Sequence, residues 1–145
     1  MLSIRQMREA DVATAAAIEQ HEVSAWSKNL IGSELGCAQA TLLVACNNSS
    51  VIGWCCARMV GEEAELLKIG VTPVWRRRSV GTALFAELLE RLLTAGVELL
   101  LLEVRSRNKA ALGFYSGLGF TAVGRRINYY SDPGDDALIM KKSVQ

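Results

Sequence analysis

Residues 76–120 read RRRSVGTALFAELLERLLTAGVELLLLEVRSRNKAALGFYSGLGF, and the succession of patterns in them decides the fold. Val80, Leu84, Leu88 and Leu92 recur every fourth residue, with Phe85, Leu89 and Leu93 beside them, a wide apolar stripe on a helix over 80–95. Gly96 closes that helix as a C-terminal cap. Val97 to Val104 is a near-continuous apolar run, as expected of a strand covered on both faces. Asn108 then caps a second helix that stops near Gly117-Leu118-Gly119. A strand-helix-strand passage of this kind demands one parallel pairing with a right-handed crossover.

Upstream, the strands 41–46, 51–60 and 64–71 are joined by the turn signals Asn47-Asn48-Ser49-Ser50 and Gly61-Glu62-Glu63, an antiparallel meander. A short strand over Leu2 to Met7 comes first, followed by an alanine-rich helix from Asp11 to Glu22. Ser24-Ala25-Trp26 reads as a loop, and Ser27 caps a second helix running to Gly36. Downstream, Phe120 to Ile127 and Ala137 to Lys141 are the final strands, with Asn128 to Asp136 as the loop between them. The expected architecture is α/β, a mixed, mostly antiparallel seven-stranded sheet with four helices on both faces, in one domain over 1–145.

Half of the 145 residues are hydrophobic, ample for a core without disulfide or metal support. The 16 lysines and arginines nearly balance 15 acidic residues, so no global basic field recruits nucleic acid. Cys37, Cys46, Cys55 and Cys56 form no C-x-x-C pair, and the single His21 has no partner at metal-ligand spacing. Adjacent Cys55 and Cys56 point to opposite faces of a strand. The N-terminus carries no signal-peptide core and no apolar run approaches a bilayer span, so a cytoplasmic location without membrane contact is expected.

Three groups of residues invite chemistry. Arg76-Arg77-Arg78-Ser79-Val80-Gly81-Thr82 lies where a strand passes into a long helix. A helix start offers unpaired N–H groups and partial positive charge, so the run reads as an anion pocket, against the plainer reading of a solvated charge cluster. Glu103 ends the apolar strand; desolvation there raises a carboxyl pKa and makes a better base near neutrality, although a strand-end charge reaching water also fits the spacing. Tyr115 lies two helical turns beyond Asn108 and shares its face, which suits either a proton donor or a packed amphipathic ring.

Taken together, R-x-x-S-x-G-T-A before a long helix, then L-L-E-V, then N-x-x-A-x-x-x-Y-x-x-L-G-F, resembles the core of the GNAT acetyltransferase superfamily. The match of order and spacing runs from the first strand to Ala137-Leu138-Ile139-Met140. Ala25-Trp26-Ser27, the block Leu102 to Asn108, and Arg125 to Tyr130 are most similar to the branch that acetylates the N-terminal alanine of a small-subunit ribosomal protein. The resemblance implies acetyl-CoA as co-substrate and no metal. It implies that backbone groups of Ile69, Gly70 and Val71 pair with the pantetheine arm and that Arg77, Arg78, Ser79, Val80, Gly81 and Thr82 hold the pyrophosphate. Asn108 is implied to contact the cofactor, Glu103 to act as general base and Tyr115 to protonate the leaving thiolate. The family usually places Gly where Ser79 stands and Pro where Ala25 stands.

The expected reaction needs a neutral amine, a stabilised oxyanion and a protonated leaving sulfur. A backbone N–H near Val71 is the expected oxyanion donor. Trp26, Tyr129 and Tyr130, expected on two loops, are candidates to grip a peptide N-terminus, with simple packing as the alternative. The expected partner is a protein or peptide N-terminus, taken by a monomer with no direct nucleic-acid contact. Acetylation of a small amine or a lysine side chain, and a non-catalytic CoA-binding module, remain competing readings; Glu103 and Tyr115 together argue against the last. A nucleic-acid binder built on Arg76 to Arg78 with Arg125 and Arg126 lacks both motif and net charge.

Overall fold

The computed structural model describes residues 1–20, 22 and 24–145; His21 lies outside the described residues. Among the described residues, seven strands and four α-helices follow the expected order: β1 (Leu2–Gln6), α1 (Val12–Glu19), α2 (Lys28–Leu35), β2 (Ala40–Asn47), β3 (Ser50–Val60), β4 (Glu63–Val71), α3 (Val80–Thr94), β5 (Leu99–Arg105), α4 (Lys109–Gly117), β6 (Thr121–Ser131) and β7 (Gly134–Ser143). The strands form one sheet in the order β1-β2-β3-β4-β5-β7-β6. Every pairing is antiparallel except β4 with β5. Among the described residues no helix is long and apolar enough to cross a membrane.

The two-residue period of the strands sorts the core into two layers. Leu43, Ala45, Cys55 and Ala57 face Leu84, Leu88 and Leu92 of α3, whereas Leu42, Val44, Cys46 and Cys56 face Val12, Ala15 and Ile18 of α1 and Ile31 of α2. Cys55 and Cys56 therefore end in different layers, both fully buried, and all four cysteines are free. Burial pushes the Cys55 thiol up to about 12, so it behaves as a small apolar residue.

Strand β4 shapes the cleft. Its ladder with β5 holds for only three pairs, Glu63↔Leu99, Ala64↔Leu100 and Glu65↔Leu101. One residue later the β3–β4 register slips, with Ala57↔Leu66 followed by Cys56↔Lys68, so Leu67 is an extra residue. A bulge bends and twists its strand. Beyond it, Lys68 to Val71 stay paired to β3 and leave their other edge open, facing the end of β5 that is likewise unpaired on that side.

Several expectations change. The first helix ends at Glu19 rather than Glu22, and Asp11 closes a short 3-10 turn before it. Asn128 to Asp136 is not a loop: β6 runs on to Ser131 and β7 begins at Gly134, with Asp132-Pro133 as the turn. Asn128 adopts φ 53 inside a register shift between Arg126 and Tyr130. Asp136 holds that irregular backbone, its carboxylate accepting from Asn128 N–H at 2.8 Å and Arg125 Nη1 at 2.7 Å. Turn-forming residue types there mark a bulged hairpin, because cross-strand side chains satisfy the irregular backbone. Finally, β5 is sealed on one face only: Leu100, Leu102 and Val104 are buried, whereas Leu99, Leu101 and Glu103 are partly exposed.

Candidate active site

At the open end of β4, three elements converge on small residues. Gly70 lies so close to α1 that an added Cβ would stand 3.0 Å from the Glu19 carboxylate. A Cβ on Gly81, in the first turn of α3, would stand 3.2 Å from Phe114 of α4 and 3.9 Å from Val71. Helix α3, helix α4 and the end of β4 therefore meet at the mouth of the gap, and Gly81 is what lets them.

The loop entering α3 has left-handed backbone at Arg77, φ 61, and at Ser79, φ 65. Left-handed residues in a turn point successive N–H groups into one concavity, a geometry that suits anions. Ala83 N–H bonds to Ser79 C=O at 3.0 Å, which leaves Val80, Gly81 and Thr82 with the free N–H groups of a helix start. Ser79 is the N-cap residue, yet its side chain makes no capping bond. Its left-handed φ is the conformation glycine adopts without cost, and this explains why Gly is the usual residue there. The arginines divide their work. Arg76 donates Nε to Val71 C=O at 3.1 Å and Nη2 to Glu22 at 3.1 Å, bracing the end of β4. Arg78 lies over the Trp75 ring at 5.2 Å.

Tyr115 projects from α4 into an aromatic chain, its ring 5.5 Å from Phe114 and 5.7 Å from Phe120, which in turn lies 5.7 Å from Phe85. Burial, with the charges of Glu22 and Glu19, pushes its phenol up to about 12, so it holds its proton at neutral pH. Asn108 caps α4 through Oδ1, which accepts from Ala111 N–H at 3.1 Å. The cap sets where α4 starts and therefore where Tyr115 falls.

Glu103 stands on the opposite face of the sheet, in a cavity of about 240 Å³ lined by Arg58, Glu65, Leu101, Arg126 and Ile139 among others. Arg126 Nε sits 3.2 Å from its Oε2, an atom that is buried and accepts no protein hydrogen bond. No hydrogen bond joins Glu103 to Tyr115 among the described residues.

The three aromatic candidates are placed unequally. Trp26 is half-buried, its ring 5.9 Å from Trp54 and its N–H donated to Glu19 at 3.3 Å. Tyr129 and Tyr130 lie on strand β6 rather than a loop, with ring centroids 5.1 Å apart. Arg126 covers Tyr129 at 5.3 Å and Arg105 covers Tyr130 at 4.2 Å. Arg105 also donates to Ser24 Oγ at 3.2 Å and to Pro133 C=O at 2.8 Å, drawing the segment before α2 and the β6–β7 hairpin together. Sequence reading gave Arg105 and Arg126 no role at the site beyond the sequence blocks that contain them, and it passed over Glu19. The one signal for Glu19 was an acidic residue beside Ile18 in an otherwise apolar helix.

The chain is similar to known proteins over most of its length. Residues 6–120 match the acetyltransferase (GNAT) family. The [ribosomal protein bS18]-alanine N-acetyltransferase of Escherichia coli K12 is 34% identical over 143 residues, 97% of this chain and 96% of that protein. The N-alpha-acetyltransferase RimI of Mycobacterium tuberculosis is 33% identical over 121 residues, 81% of this chain and 75% of that one. The crystal structure of the ribosomal-protein-S18-alanine N-acetyltransferase from Escherichia coli superposes with a TM-score of 0.91 at 32% identity, covering 100% of this chain and 95% of the other. With its bulged, splayed β4, its left-handed loop before α3 and a matching family model over most of its length, this chain belongs to the GNAT family of acetyltransferases.

Proposed function

We propose that this protein transfers the acetyl group of acetyl-CoA to the α-amine of a protein N-terminus, with the N-terminal alanine of a small-subunit ribosomal protein as acceptor. The observation that carries the reading is that β4 parts from β5 beyond Glu65, with a carboxylate, Glu103, opening on one face of the sheet and a protonated phenol, Tyr115, packed on the other. Relatives named for that reaction, similar over nearly the whole chain, support the choice of acceptor.

Acetyl-CoA supplies an activated thioester and asks the protein for a channel, a phosphate cradle and a proton. The open edge at Ile69, Gly70 and Val71 offers backbone groups to an amide-bearing chain. Arg77 to Thr82 offer the amides of a left-handed turn and a helix start to a pyrophosphate. Asn108 stands at the start of α4, where it caps the helix that carries Tyr115. Glu103 takes a proton from the acceptor amine, directly or through water. An α-amine has pKa about 7.7–8.0 against about 10.4 for lysine, so a carboxylate base suits the former better near pH 7. The N–H near Val71 stabilises the oxyanion, and Tyr115 gives its proton to the leaving sulfur. This chemistry asks for no metal. Trp26, Tyr129 and Tyr130 frame the acceptor side, where Arg105 gathers their segments.

The test is an acetyl-transfer screen offering free-N-terminal peptides beginning with alanine, N-blocked lysine peptides and small amines. Acetylation of the alanine peptides is expected. Transfer confined to lysine or small amines would replace the acceptor, and failure to bind acetyl-CoA would overturn the reading as a whole.

A further inference from the structure

The Glu19 carboxylate is 1% exposed and takes no part in the chemistry above. Its surroundings are fully committed. Oε2 accepts from Trp54 Nε1 at 3.3 Å, and Oε1 accepts from Trp26 N–H at 3.3 Å and stands 3.2 Å from Lys68 Nζ. Trp54 lies on β3, Lys68 on β4 one residue past the bulge, and Trp26 on the irregular chain before α2. The side chain also lies against Gly70, where an added Cβ would stand 3.0 Å from Oε2 and would push the carboxylate aside.

A buried ion pair is a poor stabilising device, because well-packed apolar residues of the same volume commonly do as well or better. What the carboxylate supplies and an apolar side chain would not is direction. It holds one backbone N–H of an irregular segment at a set distance from the splayed part of β4. The same segment is fastened again at Ser24 by Arg105, which stacks on Tyr130. The acceptor side is thus pinned at two points, and Glu19 is the one tied to the strand that lines the gap.

We propose that Glu19 is a positioning residue that ties the Trp26 segment to the splayed end of β4 and so sets acceptor recognition, while touching neither substrate. The inference rests on the reading of Trp26 as part of the acceptor side.

The experiment combines amide hydrogen exchange with kinetics. In the unaltered protein the Trp26 amide is expected to be protected, and in Glu19→Gln its exchange should quicken by about tenfold or more. The apolar pair Glu19→Leu/Lys68→Met removes both charges together, so that no unpaired charge is left inside. Its KM for a short peptide with a free N-terminal alanine should rise by about tenfold or more, with CoA affinity by calorimetry and kcat within about twofold of the unaltered protein. A Trp26 amide that exchanges at its free-peptide rate in the unaltered protein would overturn the proposal, whatever the variants do. So would an unchanged acceptor KM in the apolar pair, or a parallel loss of CoA affinity, which would mark a general effect on the fold. If the unaltered protein acetylates no such peptide, the acceptor reading fails and the Trp26 amide still decides the role of Glu19.

Discussion

The two faces of the sheet are held by different chemistry. Toward α3 and α4 the contact is purely apolar, with Leu43, Cys55, Leu84, Leu88, Leu92, Leu100 and Leu102 all at or below 2% exposure. Toward α1 and α2 the core also buries three carboxylates, Asp11, Glu19 and Glu34, paired with Arg5, Lys68 and Arg58. Apolar burial is strong but has no direction, and it suits the face that only has to hold a long helix in place. Ion pairs and hydrogen bonds carry a desolvation cost and give direction in return. They occur on the face where irregular segments and Glu103 must be set against one another. The candidate acid and base straddle the same divide, since Tyr115 packs with the apolar layer and Glu103 opens on the other.

The sharpest way to break this comparison is to remove one reacting group from each face. Glu103→Gln and Tyr115→Phe should each lower turnover by about 10²–10⁴-fold. Glu103→Gln should keep its CoA affinity and recover activity at higher pH, where the acceptor amine is already neutral. Unchanged turnover in either variant, in single-turnover assays with a verified acceptor, would leave the cleft with only one working side.

Next come paired stability measurements on the two layers. Leu88→Ala, at 0% exposure, should destabilise by about 2–5 kcal/mol in denaturant titrations at any pH between 5 and 8. Asp11→Asn should cost less, about 1–3 kcal/mol, and its cost should depend on pH. Arg5 donates to Asp11 at 2.7 and 3.0 Å and, against the opposing effect of burial, holds its carboxyl below the ordinary value. A depressed folded-state pKa contributes stability above the unfolded value of about 3.9 and loses it as pH falls through the folded one. The gap between wild type and Asp11→Asn should therefore be full at pH 6, begin to shrink near the unfolded value of about 3.9 and close only as pH falls through the depressed folded one. A pH-independent gap would mean that the pair is not what anchors α1.

The smallest effect belongs to Ser79. Glycine relieves the left-handed strain and gives back part of the gain as chain entropy, so Ser79→Gly should stabilise by up to about 1 kcal/mol. Calorimetry should show CoA binding tightened by no more than about tenfold, or about 1.4 kcal/mol. Weaker binding in the glycine variant would show that the serine hydroxyl is itself a contact.

Element order, helix extents in 80–120 and the sorting of Cys55 and Cys56 to opposite layers were legible because they follow from local periodicity and capping. The same is true of where the loop before α3, Glu103, Asn108 and Tyr115 fall along the chain. The bulge at Leu67 was not legible, since nothing in Glu63 to Val71 marks one residue as extra; it arises from register with β3 and opens the gap. The β6–β7 hairpin was misread as a loop because Asp136 satisfies its irregular backbone from across the turn. Arg76 was read as the first residue of an anion-binding run, but the fold places Glu22 and the Val71 carbonyl beside it. Glu19 was invisible because the donors that justify it lie 7, 35 and 49 residues away, at Trp26, Trp54 and Lys68. Sequence by itself determined which groups the chain possesses and the periodicity that sorts them between strand faces and helix stripes, because backbone geometry is local. Tertiary structure alone decided which edge stays unpaired and which charges find partners, because those depend on register and on contacts between segments that no local pattern encodes.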